Sequence, residues 1–318
     1  MAFIWLGDRI KKVKFKILGF TLLLIAIPLI LSSFPKIEEN IINPLAAEIK
    51  VLKAQDKLSK IALEEILQGE GEYAVAVKNL KTGESFFYNE DKQFDSASLY
   101  KLWVMAVSFQ RIKDGSLRND EILTLPQSYL DETLSETTPT PTPEGTPTPT
   151  PILPEEEKKI SMEVSFALEK MITTSDNYAA LLLASRSGTP SIVSFLRQYE
   201  LKNSNFRQPP QTSASDIALF LEKLYKGEIV DRKYSEQMME ILKKQSLDDR
   251  IPKYLPDNIK VAHKTGELFG LKHDAGIVFG EKDDYIIVVL SETKNPTNAS
   301  ERIANFSKKV FDYFEKNR

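Results

Sequence analysis

Strand patterns occur near both ends of the region 57–318, and helical patterns lie between them. The strand patterns lie at 73–80, 84–89, 261–266, 274–280 and 285–292. The helical patterns, with apolar residues three and four apart, lie at 98–113, 161–173, 176–186, 190–199, 215–226, 234–245 and 298–316. This order predicts an α+β fold of the α/β-sandwich type. One antiparallel five-stranded sheet is built from both chain ends and flanked by helices, and an all-helical lobe is inserted between them.

An uncharged segment, 17–34, precedes this domain. As a helix, its eighteen residues would span about 27 Å, close to the thickness of a hydrocarbon core. Five basic residues stand before it: Arg9, Lys11, Lys12, Lys14 and Lys16. By the positive-inside tendency, they predict a cytoplasmic N-terminus.

The sequence therefore predicts a single-pass protein of the cell membrane whose main domain lies outside the cytoplasm. Its parts are a cytoplasmic basic segment at 1–16, a transmembrane anchor at 17–34, a juxtamembrane linker or helix at 35–56 and a domain at 57–318. A cleaved signal peptide is the alternative to an uncleaved anchor.

Composition narrows the function classes. The net charge is −3, without the basic excess that binds a phosphate backbone, so we expect no nucleic-acid partner. The chain has no cysteine, which excludes thiol nucleophiles and zinc–cysteine sites. His263 and His273 are its two histidines, too few to favour a histidine metal site, and we expect no cofactor.

A Thr-Pro repeat interrupts the helical region. Residues 137–151 read TTPTPTPEGTPTPTP, and proline at every second position removes amide donors and favours extended backbone. The pattern predicts an extended, solvated insertion at about 131–156. We interpret it as an inert loop, the alternative being a spacer or binding segment at the rim of a cleft.

The tetrapeptide KTGE occurs twice, at 81–84 and at 264–267. The first copy lies between two strand patterns and is typical of a hairpin turn. The second lies on a strand pattern, downstream of Ser98-x-x-Lys101 and Ser175-Asp176-Asn177. Serine and lysine three apart on a helix share a face, and a lysine can activate a serine only where its pKa is lowered.

These three motifs, in this order and on these elements, resemble the signature motifs of class A β-lactamases and the related penicillin-binding proteins. The flanking sequences at 73–102 and 248–266 also resemble the corresponding segments of this family. The similarity covers about 57–318 apart from the insertion. The resemblance implies the catalytic residues Ser98, Lys101, Ser175 and Lys264, and the substrate-binding residues Asn177, Thr265, Gly266 and Glu267.

The resemblance also implies their roles. Ser98 would attack an amide carbonyl while Lys101 accepts its proton, and Ser175 would pass a proton to the departing nitrogen. Lys264 and Thr265 would bind the substrate carboxylate.

Further roles concern the acyl part of the substrate. Asn177 would hold its side-chain amide, and the backbone N–H groups of Ser98 and Glu267 would bind the oxyanion. Asp176 would fix its loop.

The sequence departs from this family in two places. A Glu-x-x-Leu-Asn segment, whose glutamate activates water in the family, is missing, and segment 202–212, KNSNFRQPPQT, has no carboxylate. Glu200 is the nearest acid, but its position at the end of a predicted helix disfavours it as a substitute. The family's arginine after the third motif is also missing. Lys272 or His273 could assist in its place, but both are more typical of a solvated strand end. Complete acylation machinery with slow release of the acyl group is expected.

The sequence thus predicts a serine acyl hydrolase that opens β-lactam amides through an acyl-enzyme, with a β-lactam or a D-alanyl peptide-like molecule as its partner. The alternatives are a penicillin-binding D-alanyl peptidase and a β-lactam sensor or binding module that stays acylated. A Ser-His-Asp hydrolase is disfavoured because no G-x-S-x-G motif is present.

The predicted topology can be tested on intact cells. Protease added outside should cut within the Thr-Pro repeat, because exposed, unstructured backbone is cleaved most readily. Detection uses antibodies to the two chain ends. Protection of the repeat until the membrane is opened would reverse the predicted orientation.

Overall fold

The computed structural model describes residues 57–137 and 157–316, and at its centre is a five-stranded antiparallel sheet in the order β2-β1-β9-β8-β7. Its strands are β1 (Glu72–Asn79), β2 (Ser85–Tyr88), β7 (Lys260–Leu268), β8 (Leu271–Phe279) and β9 (Tyr285–Glu292). Strands from both ends of the domain therefore meet in one sheet, which confirms the predicted α+β class and sheet.

Helices cover both faces of this sheet. Alternate strand residues such as Ala76 and Val288 belong to the core that the sheet shares with the helical lobe, and α7 (Ala214–Tyr225) packs there. The strand residues that alternate with these point to the opposite face of the sheet. On that side Tyr285 packs 5.0 Å, ring to ring, from Phe314 of the C-terminal helix α9 (Pro296–Lys316).

The helical lobe surrounds α2 (Lys101–Lys113), which follows a 3₁₀ turn at Ala97–Tyr100. Every residue of α2 from Lys101 to Phe109 is buried. Around it lie α4 (Val164–Thr173), α5 (Asn177–Ser187), α6 (Thr189–Gln198) and α8 (Arg232–Leu242). An ammonium group at the start of α2 therefore sits in the interior of the domain.

Two short strand pairs were not predicted. β3 (Phe94–Asp95) pairs with β6 (Gln211–Thr212), and β4 (Ile122–Pro126) pairs with β5 (Lys159–Glu163). The helix predicted at 161–173 therefore begins at Val164, because the preceding residues alternate polar and apolar with the period of a strand.

The helix α3 (Gln127–Thr137) is a further difference from the prediction. It includes 131–137, the first part of the predicted Thr/Pro-rich insertion, and is helical there because the first proline of the repeat is Pro139. The rest of the insertion lies outside the described residues.

The first KTGE copy forms the turn between β1 and β2, as predicted. The side-chain Oδ1 of Asn79 accepts hydrogen bonds from the backbone N–H groups of Lys81 (3.0 Å) and Thr82 (2.9 Å). Gly83 adopts a φ of 77°, which glycine tolerates without steric cost.

The N-terminal part of the predicted domain is α1 (Lys57–Ala62), continued by a π-helical turn at Leu63–Leu67. The predicted cytoplasmic segment, anchor and linker at 1–56 lie outside the described residues. Within residues 57–137 and 157–316, no single helix is both long enough and apolar enough to cross a membrane. The helices α5 and α6, joined at an 84° bend, reach that length and apolar character together.

The contact of Gly276 with the neighbouring strand gives a stability prediction. Gly276 of β8 faces His263 of β7, and a Cβ at Gly276 would lie 2.5 Å from the His263 Cβ and 2.8 Å from the Ala262 carbonyl oxygen. Gly276→Ala should lower the free energy of unfolding by about 1–3 kcal/mol or more, seen as a lower Tm.

Gly115→Ala is the matched control. Nothing lies within 4 Å of its Cβ position, so only the strain of its φ of 78° applies. An equal or smaller loss of Tm for Gly276→Ala would contradict the proposed close contact.

Candidate active site

Ser98 lies in the 3₁₀ turn before α2, half-buried at the edge of a cleft of about 290 Å³. The residue before it, Ala97, has a φ of 43°, a conformation sparsely populated by residues other than glycine and found often at functional sites. The pairing of β3 with β6 and the hydrogen bond from the Ser96 N–H to the Pro210 carbonyl (2.7 Å) fix this turn. The turn that carries Ser98 is thus held in place by backbone contacts from outside α2.

Lys101 connects the first motif to the second. Its side chain is fully buried, and its Nζ donates to the Ser175 carbonyl oxygen (2.6 Å), the Ser175 Oγ (3.1 Å) and the Asn177 Oδ1 (2.7 Å). Burial lowers the pKa of Lys101 to about 7, although the Asp176 carboxylate raises it. Near neutral pH a large fraction of this amine is therefore unprotonated and can accept a proton.

The second motif lies in the turn between α4 and α5. Ser175 has a φ of 58°, and the Asp176 side chain caps α5 by accepting a hydrogen bond from the Ala179 N–H (2.8 Å). This cap fixes the turn so that the Ser175 hydroxyl points toward Lys101. Asp176 therefore fixes this turn, as expected from the resemblance.

The third motif lies on β7, beside the turn that carries Ser98. Lys264 is fully buried, and its Nζ donates to the Ser175 Oγ (3.0 Å) and to the Thr265 carbonyl oxygen (2.8 Å). Burial lowers the pKa of Lys264 well below its ordinary value, and the charge of Lys101 lowers it further. The Ser175 hydroxyl therefore accepts hydrogen bonds from two amines that both release protons readily.

Gly266 allows the third motif to approach the nucleophile turn. A Cβ at this position would lie 3.2 Å from the Ser96 carbonyl oxygen and 3.2 Å from the Cβ and Cδ2 of His273. A larger residue would push β7 away from this turn, and the backbone N–H groups of Ser98 and Glu267 would separate.

Arg250 is a site residue that the sequence analysis missed. It is 1% exposed, and its Nη2 donates to the Glu267 Oε2 (2.6 Å) while its Nη1 donates to the His273 carbonyl oxygen (3.3 Å). Lys272 pairs with the other carboxylate oxygen of Glu267. No pattern in segment 248–255 marks an arginine as buried, because it lies in an irregular loop.

The interpretation of Lys272 and His273 as a solvated strand end was wrong. His273 is fully buried, donates from Nε2 to the Asp95 carbonyl oxygen (2.9 Å) and accepts at Nδ1 from the Ser291 N–H (3.0 Å). Burial lowers the pKa of His273 to about 4, so this imidazole is neutral at physiological pH. The Lys272 side chain is 12% exposed, because its ammonium group is held by Glu267.

Glu200 does not lie in the cleft with Ser98. It follows the end of α6 with a φ of 60°, is exposed, and lines a separate groove with Arg197 and Lys202. Among the described residues that line the cleft, the carboxylates are Asp95 and Glu267.

The cleft walls are largely apolar. Tyr100 and Phe206 pack with their ring centroids 5.9 Å apart and their planes tilted by 56°. Other lining residues include Leu134, Leu181, Arg207, Pro209 and Leu268. Such walls suit an apolar group of a ligand, while Asn177 and Glu267 offer polar groups in the same cleft as Ser98.

The structure therefore brings all three motifs together. Asn177 and Glu267 line the same cleft as Ser98, and Lys101, Ser175 and Lys264 form one hydrogen-bond network behind it. Within 57–137 and 157–316, no group of three or more histidine, cysteine, aspartate or glutamate side chains is arranged to hold a metal ion.

Solved structures show the same fold. PBP-A matches with a TM-score of 0.68 at 23% identity, over 81% of this chain and 96% of that chain. The β-lactamase from Sphaerobacter thermophilus matches with a TM-score of 0.67 at 18% identity, over 81% and 96%. A mutant of PBP-A, solved as an acyl-enzyme complex with penicillin G, matches with a TM-score of 0.68 at 24% identity, over 81% and 96%.

Sequence comparison gives the family. A search of curated proteins finds no match, whereas the model of the β-lactamase enzyme family matches residues 54–314. That match spans most of the chain and confirms the resemblance inferred from the three motifs: the protein belongs to the β-lactamase enzyme family.

Proposed function

We propose that the protein opens β-lactam amides through a covalent acyl-enzyme on Ser98. The observation that carries this proposal is the position of the Ser175 hydroxyl, which accepts hydrogen bonds from both Lys101 and Lys264 beside the cleft that contains Ser98. The family and the penicillin G complex of a PBP-A mutant support it.

Acylation uses the buried amine. The Ser98 Oγ attacks the lactam carbonyl carbon, and the unprotonated Lys101 accepts the hydroxyl proton. The backbone N–H groups of Ser98 and Glu267 stabilise the negative oxygen that develops. The C–N bond then breaks, and Ser175 passes a proton from the lysine pair to the departing nitrogen.

Substrate binding uses residues of the second and third motifs. The Asn177 Oδ1 accepts from Lys101, so its amide N–H₂ can donate to the acyl side chain. Lys264 and Thr265 on β7 provide donors for a substrate carboxylate, and the negative charge of that carboxylate favours the protonated form of Lys264.

Release of the acyl group is proposed to be slow. Hydrolysis needs a water held against the ester and a base that removes its proton. Segment 202–212 contains no carboxylate, Glu200 lies in another groove, and Glu267 is engaged by Arg250 and Lys272. The same observation favours the second candidate function, a penicillin-binding D-alanyl peptidase in which Lys101 is the base in both steps.

We also propose that the domain is held at the outer face of the cell membrane. The uncharged segment 17–34 and the five basic residues before it support this location.

The nucleophile assignment predicts the pH dependence of covalent labelling. A fluorescent penicillin should label the wild-type protein and fail to label Ser98→Ala. Because Lys101 must be unprotonated and its pKa is about 7, the labelling rate should fall by about tenfold per pH unit below that value and level off above it. The measurement is the initial rate of labelling in a gel assay.

Two lysine variants on the same helix sharpen this test. Lys101→Ala should lose labelling at every pH, whereas Lys113→Ala, exposed at the far end of α2, should retain both rate and pH profile. A flat profile in the wild type, or labelling of Ser98→Ala, would overturn the assignment.

Slow release predicts burst kinetics. A chromogenic β-lactam should give one equivalent of product per enzyme and then a slow steady rate, with a long-lived adduct seen by intact-mass measurement. Loss of general-base assistance is worth about 10²–10⁴ in rate, or about 3–5 kcal/mol of barrier.

Rapid turnover without a detectable adduct would contradict slow release. Asp95 would then be the carboxylate to replace, because it lines the cleft with Ser98, and Asp95→Asn should restore the adduct.

A further inference from the structure

The Glu267 carboxylate is held by two cations at the wall of the cleft. Its Oε2 accepts from the Arg250 Nη2 at 2.6 Å, and its Oε1 pairs with Lys272. The Arg250 side chain is 2% exposed, whereas that of Glu267 is 58% exposed. Arg250 is therefore a buried charge, and the partner in its shortest ion pair, Glu267, lies on the cleft side of it.

Glu267 also lies next to the third motif, whose Lys264 and Thr265 are proposed to bind a substrate carboxylate. It follows Gly266 directly on β7, and its side chain lines the cleft together with Ser98. Arg250 and Lys272 both pair with Glu267, so these two side chains supply positive charge at this edge of the cleft. A carboxylate entering this edge meets that positive charge and the negative charge of Glu267 together.

We propose that Glu267 is a specificity-determining residue, a built-in carboxylate that competes with the carboxylate of the substrate for Arg250 and for the field of Lys272. The site then gains less from a free carboxylate beside the reacting amide than it would without Glu267, which lowers its preference for such acyl donors over uncharged ones. This inference rests on the proposed function, because it concerns which substrates acylate Ser98.

Replacement of Glu267 by glutamine isolates its charge. Glutamine has nearly the same size, keeps an oxygen that can accept from Arg250 and leaves the backbone N–H in place. The field of Arg250 and Lys272 is then no longer balanced by an adjacent negative charge. A substrate carboxylate gains attraction and loses repulsion, whereas an uncharged group at the same position gains little.

The test compares penicillin G with its methyl ester, which differ only at the carboxylate. Acylation rates are taken from intact-mass measurements, and the acid-to-ester rate ratio is compared between wild type and Glu267→Gln. We expect the ratio to rise by about tenfold in the variant, or about 1.4 kcal/mol. The gain should shrink at high salt, because Glu267 is largely exposed.

Glu292→Gln is the matched control. Glu292 is exposed on β9 and lines a neighbouring groove that also includes Glu267, so its replacement removes a nearby charge without removing the ion pair to Arg250. An unchanged ratio in Glu267→Gln, or an equal rise in Glu292→Gln, would overturn the inference.

The two compounds also separate failure of this inference from failure of the proposed function. Acylation of Ser98 by the ester in each variant shows that the variant folds and reacts, so an unchanged ratio then counts against the role of Glu267 alone. If neither compound acylates Ser98 in the wild type, the proposed function is wrong, and the inference falls with it.

Discussion

The burial of the Lys101 amine is the constraint on which the site depends. An ammonium group without water must find acceptors or lose its proton, and both occur here. Three acceptors of the second motif surround Nζ, and burial lowers the pKa of Lys101 to about 7. The strained turn at Ser175 and the cap by Asp176 follow from the need to bring those acceptors to one point. The same contacts that satisfy the amine hold the second motif against the start of α2.

A second buried charged group, the imidazole of His263 on β7, also needs partners. Burial lowers the pKa of His263, but Asp274 and Asp248 more than reverse that effect and raise it to about 9, so the imidazole is charged near neutral pH. Asp274 is fully buried, accepts from the Ile251 N–H (3.0 Å) and pairs with His263 at 2.9 Å. A buried ion pair contributes little net stability, but it fixes the loop that carries Arg250 against the strand that carries Lys264.

Periodic patterns predicted the parts of the fold that the hydrophobic core determines. The five strands and the helices around α2 bury one face or both, and burial imposes the spacing that the sequence displays. Short pairings such as β4 with β5, and the helix α3, lie where few apolar residues are buried, so their patterns are weak. Arg250 was missed, and His273 was wrongly interpreted as solvated, for a related reason. Their burial depends on partners distant in sequence, Glu267 and Asp95, and neither residue type favours burial by itself.

The resemblance placed the motif residues, and their positions explain why the two halves of the proposed reaction differ. Ser98, Lys101, Ser175 and Lys264 lie on elements packed into the core, so their distances are fixed by the fold before any substrate binds, as catalysis requires. Segment 202–212, where the resemblance places a water-activating base, contains no carboxylate, and most of its residues are exposed or half-buried. Loss of a carboxylate there leaves the fold and the acylation network intact. One scaffold can therefore host a hydrolase or a long-lived acyl-enzyme, with a difference of about 3–5 kcal/mol in a single barrier deciding between them.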